Sequence, residues 1–234
     1  MARKYSTADQ WLHGSGFLAR IHGSTFLVTV AHLGDCELAP RADWSLWPDS
    51  IFLADTVDVD EEDGLPKRIE EFVLFIEGHK GKRVPRFKYR LRQERPGTIA
   101  DIILLPLQSD DRIVKMYSSF HLPVDKGDHQ PGALVTQLGR RSEFPALSDT
   151  EHHSTLLDGP VRLMVPEGQE GDSGGPVINS GGLLLGMNVG SHVNYPNAAM
   201  LMSPEAIEAL ATAVRGVAKG WPQFAPQGPT PTQP

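Results

Sequence analysis

A single cysteine, Cys36, stands among 234 residues, so no disulfide can close within the chain and a disulfide-braced scaffold is excluded. Such usage suits a reducing compartment, and a cytoplasmic address is the expectation. Basic residues are also short: 22 Lys and Arg against 29 Asp and Glu leave a net charge of -7. Phosphate binding draws on a cationic excess, so nucleic acid is not an expected partner. No apolar run approaches the ~20 residues of a membrane-spanning helix. The basic start, Met1-Ala2-Arg3-Lys4-Tyr5-Ser6-Thr7, lacks the apolar stretch of a secretory signal, and no membrane partner is expected. No internal repeat is present, which sets repeat architectures aside.

What remains, 40% hydrophobic content over a length suited to one compact unit or two small ones, can bury a core. The stretch that stands out is Gly171-Asp172-Ser173-Gly174-Gly175-Pro176, followed by Val177-Ile178. A serine hydroxyl is a weak nucleophile at neutral pH, so one that does chemistry needs a base beside it and donors aimed at a developing oxyanion. The surrounding glycines let the backbone approach closely and aim N–H groups into a site. A Gly-rich turn that merely contains a serine is the plain alternative. Upstream, Thr25-Phe26-Leu27-Val28-Thr29-Val30-Ala31-His32 is an apolar, β-branched run ending in Ala-His, where a structural histidine is the alternative. Between them, Asp101 opens the long apolar run Ile102-Ile103-Leu104-Leu105-Pro106-Leu107. The turn-formers Pro96-Gly97-Thr98 precede it, so a strand-capping aspartate is the alternative there. Asp35, Asp43 and Asp49 lie nearer His32 in sequence, but none opens so long an apolar strand.

In the order His32, Asp101, Ser173, these three boxes resemble the trypsin-like, chymotrypsin-fold serine peptidases, closest in style to bacterial intracellular and HtrA-type domains. The hexapeptide matches that family's signature at all six positions. Val30 stands where the first alanine of its Thr-Ala-Ala-His box usually is, and Asp101-Ile102-Ile103-Leu104 is similar to its Asp-Ile-Ala-Leu strand. The resemblance covers about residues 14–217. It implies an all-β fold of two antiparallel β-barrels with a C-terminal helix: the first barrel at about 14–107, the second at about 132–203, the helix at about 204–217. The site would lie between the barrels.

The function implied is that of a serine endopeptidase acting on a protein or peptide, with no cofactor and no metal. Ser173 would attack the carbonyl, His32 would act as base and then acid, and Asp101 would fix the imidazole tautomer. The N–H groups of Gly171 and Ser173 would form the oxyanion hole. Glu167, six residues before Ser173, would lie at the base of the primary pocket and favour Lys or Arg, and the edge Val189-Gly190-Ser191 would take substrate as an added strand. Val189 falls where the family usually has a serine touching the triad aspartate. No Ile-Val-Gly-Gly start is present to supply the amine that binds the aspartate matching Asp172. Arg140 or Arg141, on a loop that the resemblance implies near Gly139, is a candidate to neutralise it instead, with both as solvated surface charges the alternative. A protease-fold binding module without turnover is the alternative function.

Elsewhere, Gly14–Ile21 reads as a turn entering a strand and His22-Gly23-Ser24 as a hairpin. The spacing from His32 to Asp101 exceeds the family's usual segment, so an insertion is expected. It holds strand-like runs at 51–54 and 72–76 and an acidic stretch, Asp58–Gly64, that misses the EF-hand pattern and reads as a solvated loop. Lys80–Arg92 alternates basic and apolar residues. An edge strand guarded by charge accounts for this, with a binding face for acidic substrate or nucleic acid as the alternative. Residues 108–131 read as a connection, and strands recur at 133–136, 161–165 and 183–187. Asp149, Glu151, His152 and His153 read as a solvated polar loop. Ser203 and Pro204 mark a helix start, and the Pro-rich residues 218–234 are expected to be a disordered tail.

Overall fold

The structure, a computed structural model, describes residues 2–5, 8–35, 40–59, 66–141, 148–158, 162–192 and 194–213. Among these the elements run β1 (Ala2–Tyr5), β2 (Ala8–His13), β3 (Gly16–Ile21), β4 (Ser24–Thr29), β5 (Ser50–Val59), β6 (Pro66–Val73), β7 (Phe75–Glu77), β8 (Arg83–Pro85), β9 (Ile103–Leu107), α1 (Arg112–Met116), β10 (Ser119–Leu122), β11 (Leu134–Arg141), β12 (Ser148–Leu157), β13 (Leu163–Val165), β14 (Pro176–Ile178), β15 (Leu184–His192), β16 (Tyr195–Met202) and α2 (Pro204–Thr212). The chain is mostly β.

In the second half, six strands close into a barrel in the order β11-β12-β13-β16-β15-β14, which leaves no open sheet edge. Its interior is filled by Val135, Leu156, Met164, Val177, Leu185, Ala199 and Leu201. Among the described residues the first half shows no second closed barrel. There the described strands form a sheet ordered β10-β3-β4-β9, a sheet ordered β2-β1-β5-β6 and the ribbon β7-β8. Isolated bridges at Lys88–Leu104 and Leu91–Ile99 carry the chain after β8 onto β9 and its approach. The two long strands of the insertion, β5 and β6, pair with each other, and β5 pairs onward with β1, outside the span 14–107.

Strands β3 and β4 meet at a two-residue turn in which His22 (φ 47°) and Gly23 (φ 85°) are both left-handed, the turn whose twist suits a tight hairpin. The connection 108–131 is more structured than expected. It forms α1, whose Arg112 and Ile113 N–H groups donate to the Glu70 carboxylate at 2.9 and 2.6 Å, and then β10, which pairs in parallel with β3. A core shared by both halves runs through Leu18, Val28, Leu104, Leu184, Met187 and Val189, and α2 closes it with Ile207 and Leu210. Ser203 caps α2 by accepting the Ala206 N–H at 3.2 Å, with proline at the first turn as read from sequence. The expected helix end at 217, the Pro-rich tail and Cys36 lie outside the described residues. Among the described residues no helix is long and apolar enough to cross a membrane.

The basic stretch 80–92 does not present all its cations on one face. Pro85, Phe87 and Tyr89 are buried and Arg86 and Arg90 exposed, as alternation requires. Arg83, however, lies 4.0 Å over the Phe75 ring and donates to the carbonyls of Trp44, Trp47 (2.9 Å) and Pro48 (3.1 Å). Lys88 donates to the Ala211 carbonyl at the end of α2, and burial pushes its ammonium below the ordinary lysine range. Both cations serve the fold.

Candidate active site

His32 leaves β4 on a single 3-10 turn, Ala31–Leu33, whose flanking residues Ala31 and Leu33 are buried. The turn is braced from the insertion: Trp47 lies so close to Gly34 that a Cβ there would meet its ring at 2.0 Å. Trp47 in turn stacks on Phe87 at 5.1 Å between centroids, inside a cluster with Trp44, Phe75 and Tyr89. The long segment between His32 and Asp101 thus buttresses the histidine. Asp35, 4% exposed, accepts the Arg41 N–H at 2.9 Å and its Nε–H at 3.1 Å.

Asp101 precedes β9 at the apex of a three-residue turn, in which the Ile102 N–H donates to the Ala100 carbonyl at 2.7 Å. The turn projects its carboxylate from the strand toward His32. Oδ1 accepts the His32 backbone N–H at 2.8 Å and Oδ2 lies 2.7 Å from Nδ1. The two side chains are 30% and 15% exposed, so the carboxylate is the more sheltered of the pair and the ring keeps one side open. With Nδ1 so engaged, Nε2 is the nitrogen left to accept a proton.

Ser173 sits in a loop folded almost wholly by backbone bonds. The Asp172 N–H donates to the Gln169 carbonyl at 3.0 Å, the Gly175 N–H to the Asp172 carbonyl at 3.0 Å and the Gly174 N–H to the Asn188 carbonyl at 2.7 Å. Only glycine serves at 174 and 175. A Cβ at Gly174, where φ is 90°, would lie 2.2 Å from the Ser15 carbonyl, and one at Gly175 would lie 2.0 Å from that of Leu138. The N–H groups of Gly171 and Ser173 have no acceptor among the described residues. Gly190, φ 118°, lies beside the Ser173 hydroxyl, with Oγ 3.4 Å from the place a Cβ would take. Among the described residues no hydrogen bond joins His32 to Ser173.

Asp172 is fully buried, and its Oδ2 accepts the Gln169 N–H at 2.8 Å. Its Oδ1 presses on Gly139, where a Cβ would sit 2.1 Å away. Gly139, Arg140 and Arg141 continue β11 in register with Thr150, Asp149 and Ser148, so they belong to a strand where a loop was expected. The Arg140 and Arg141 side chains lie outside the described residues, as do those of Asp149, Glu151 and His152, while His153 is exposed.

The remaining sequence-derived site residues are spread around this loop. Glu167 is half-buried and its N–H donates to the Asn197 carbonyl of β16 at 2.9 Å. Val189 is buried, and Gly190 donates its N–H to Asn188 Oδ1 at 2.9 Å at a bulge in the β15–β16 pairing. Ser191 is exposed. Three residues escaped the reading of the sequence. Ser15 donates its N–H to the Ser173 carbonyl at 2.8 Å and its hydroxyl to the Gly171 carbonyl at 2.7 Å. Thr29 donates to the Ser15 carbonyl at 2.7 Å, and Asn188 holds Gly174, Gly175 and Gly190 at once. The available signal was a polar residue inside an apolar strand, Thr29 in β4 and Asn188 in β15, each nearly fully buried.

Neither a protein-family model nor a curated protein sequence matches the chain. Among solved structures it is similar to the Rv3671c protease from M. tuberculosis in its active form, at 13% identity over 89% of this chain and 76% of that one, with a TM-score of 0.49. It is similar to the MamO protease domain from Magnetospirillum magneticum at 15% identity over 83% and 85%, with a TM-score of 0.43. It is similar to tobacco etch virus protease at 15% identity over 94% and 78%, with a TM-score of 0.48. These neighbours have the trypsin-like fold that the three sequence boxes resemble.

Proposed function

We propose that the chain is a serine endopeptidase that hydrolyses peptide bonds in a protein or peptide through an acyl-enzyme. The observation that carries the reading is the contact between His32 and Asp101: residues 69 apart in sequence meet at 2.7 Å through the ring nitrogen that a tautomer-fixing carboxylate must hold. In this reading His32 Nε2 takes the Ser173 proton as Oγ attacks the substrate carbonyl, then returns it to the leaving amine. The N–H groups of Gly171 and Ser173, without acceptors of their own, stabilise the oxyanion. Glu167 lies at the base of the primary pocket, and the edge at Val189-Gly190-Ser191 pairs with the substrate backbone, Gly190 leaving room beside Oγ. Residues 1–217 form the peptidase unit, working in a reducing, cytoplasmic compartment.

A binding module on the same fold is the second reading. The observation in its favour is that no hydrogen bond joins His32 to Ser173, although such bonds are often long without substrate. Hydrolysis of a mixed peptide library separates the two. Turnover in the parent chain that disappears in Ser173→Ala upholds the peptidase, and a folded parent that binds peptides without cleaving them upholds the module.

A further inference from the structure

We propose that the hydroxyl of Ser15 is a positioning residue for the loop that carries Ser173: by holding the Gly171 carbonyl, it keeps the Gly171 and Ser173 N–H groups turned toward a substrate carbonyl. This rests on the peptidase reading. Ser15 lies just before β3, in the other half of the chain from the loop it touches, and is 6% exposed. Three of its hydrogen bonds bear on the loop. Its N–H meets the Ser173 carbonyl at 2.8 Å, its Oγ–H meets the Gly171 carbonyl at 2.7 Å, and its own carbonyl accepts the Thr29 hydroxyl at 2.7 Å. Thr29 is 1% exposed and ends β4, the strand that leads into the His32 turn three residues on. One residue therefore ties the histidine strand to the serine loop.

The consequence follows from peptide planarity. A carbonyl and the next N–H point to opposite sides of a rigid plane, so fixing one aims the other. With the Gly171 carbonyl on Ser15 Oγ, the Asp172 N–H is aimed at Gln169, which it meets at 3.0 Å. With the Ser173 carbonyl on Ser15 N, the Gly174 N–H is aimed at Asn188, which it meets at 2.7 Å. The plane between, from Asp172 to Ser173, has its carbonyl on the Gly175 N–H at 3.0 Å and its own N–H without an acceptor. All three planes from Gly171 to Gly174 are thus held through their carbonyls, and the Gly171 and Ser173 N–H groups are left without acceptors among the described residues. Gly171 has φ 94°, and a glycine there accepts a flipped plane as readily as the observed one. The backbone alone does not choose, and the buried hydroxyl supplies the choice.

Ser15→Ala in the full chain tests this, because it keeps the backbone bond to Ser173 and deletes only the hydroxyl. Amide hydrogen exchange over residues 168–176 is expected to speed up about tenfold or more while exchange in β3, β4 and β9 is unchanged. The kcat is expected to fall about tenfold to a hundredfold at constant KM, less than the ~10²–10³ lost when an oxyanion donor itself is deleted. Ser15→Cys, close in volume with a feebler S–H donor, is the second variant and is expected to fall between. Loop exchange and kcat equal to the parent's in both variants overturn the proposal, as does a KM effect without a kcat effect. In a parent without turnover, loop exchange decides alone: acceleration in Ser15→Ala upholds the hold and refutes only the peptidase reading, and unchanged exchange refutes the hold.

Discussion

Asp101 takes both of its hydrogen bonds from His32, the backbone N–H on Oδ1 at 2.8 Å and the ring Nδ1 on Oδ2 at 2.7 Å. Val189, where the proposed reading would put a serine beside this aspartate, is a buried side chain with nothing to donate. Orientation of the imidazole therefore depends on this one pair. An amide at 101 keeps the shape but offers N–H where Nδ1–H must donate, which selects the wrong tautomer. Asp101→Asn is expected to lower kcat about 10⁴-fold with thermal unfolding shifted by only a few degrees. Steady-state kinetics and calorimetry on the same preparation check both halves of that statement.

Trp47 carries a stability prediction. It is 3% exposed, stacked on Phe87 and pressed on Gly34, two residues beyond His32. Trp47→Ala removes a large aromatic from a well-filled site and is expected to cost about 3–5 kcal/mol, read from the denaturant midpoint. Since the cluster braces the histidine turn, residual activity at low temperature is expected to fall as well.

Gln137 gives the opposite sign. It is fully buried in β11, beside Gly168 and near Asp172, and among the described residues neither polar atom of its amide has a hydrogen-bond partner. A buried amide without partners costs about 1–3 kcal/mol, whereas an apolar side chain of similar length costs nothing there. Gln137→Met is expected to raise the unfolding temperature, and a fall of several degrees shows that the amide is satisfied in solution.

The difference between what the sequence made legible and what it hid is visible at the loop itself. Ser173, His32 and Asp101 stand out because each is a reactive side chain inside a contiguous, chemically unusual box. Ser15 and Asn188 act through backbone carbonyls and N–H groups brought from far along the chain, and no local pattern announces that. The same holds for the fold. The turn at His22-Gly23 and the capped start of α2 follow from local dihedral preference. The pairing of β5 with β1, about 50 residues apart in sequence, is a long-range choice. The resemblance implies a loop beginning near Gly139, yet Arg140 and Arg141 extend β11 by pairing with β12, a register that no local pattern announces.

Specificity is tested at Glu167. Glu167 is half-buried and, on the proposed reading, is expected to select Lys or Arg at the primary substrate position. A peptide-library profile is expected to show that preference in the parent and its loss in Glu167→Gln. A parent profile without basic preference, or one unchanged by the substitution, removes Glu167 from the pocket.

The most direct test of the central claim is covalent labelling with a fluorophosphonate, followed by mass spectrometry of the adduct. An activated serine is expected to take up one equivalent at Ser173 in the parent chain and none at a comparable rate in His32→Ala, because the histidine is what makes the hydroxyl nucleophilic. A folded parent that never labels, or labelling at Ser173 that proceeds equally fast without His32, contradicts the account.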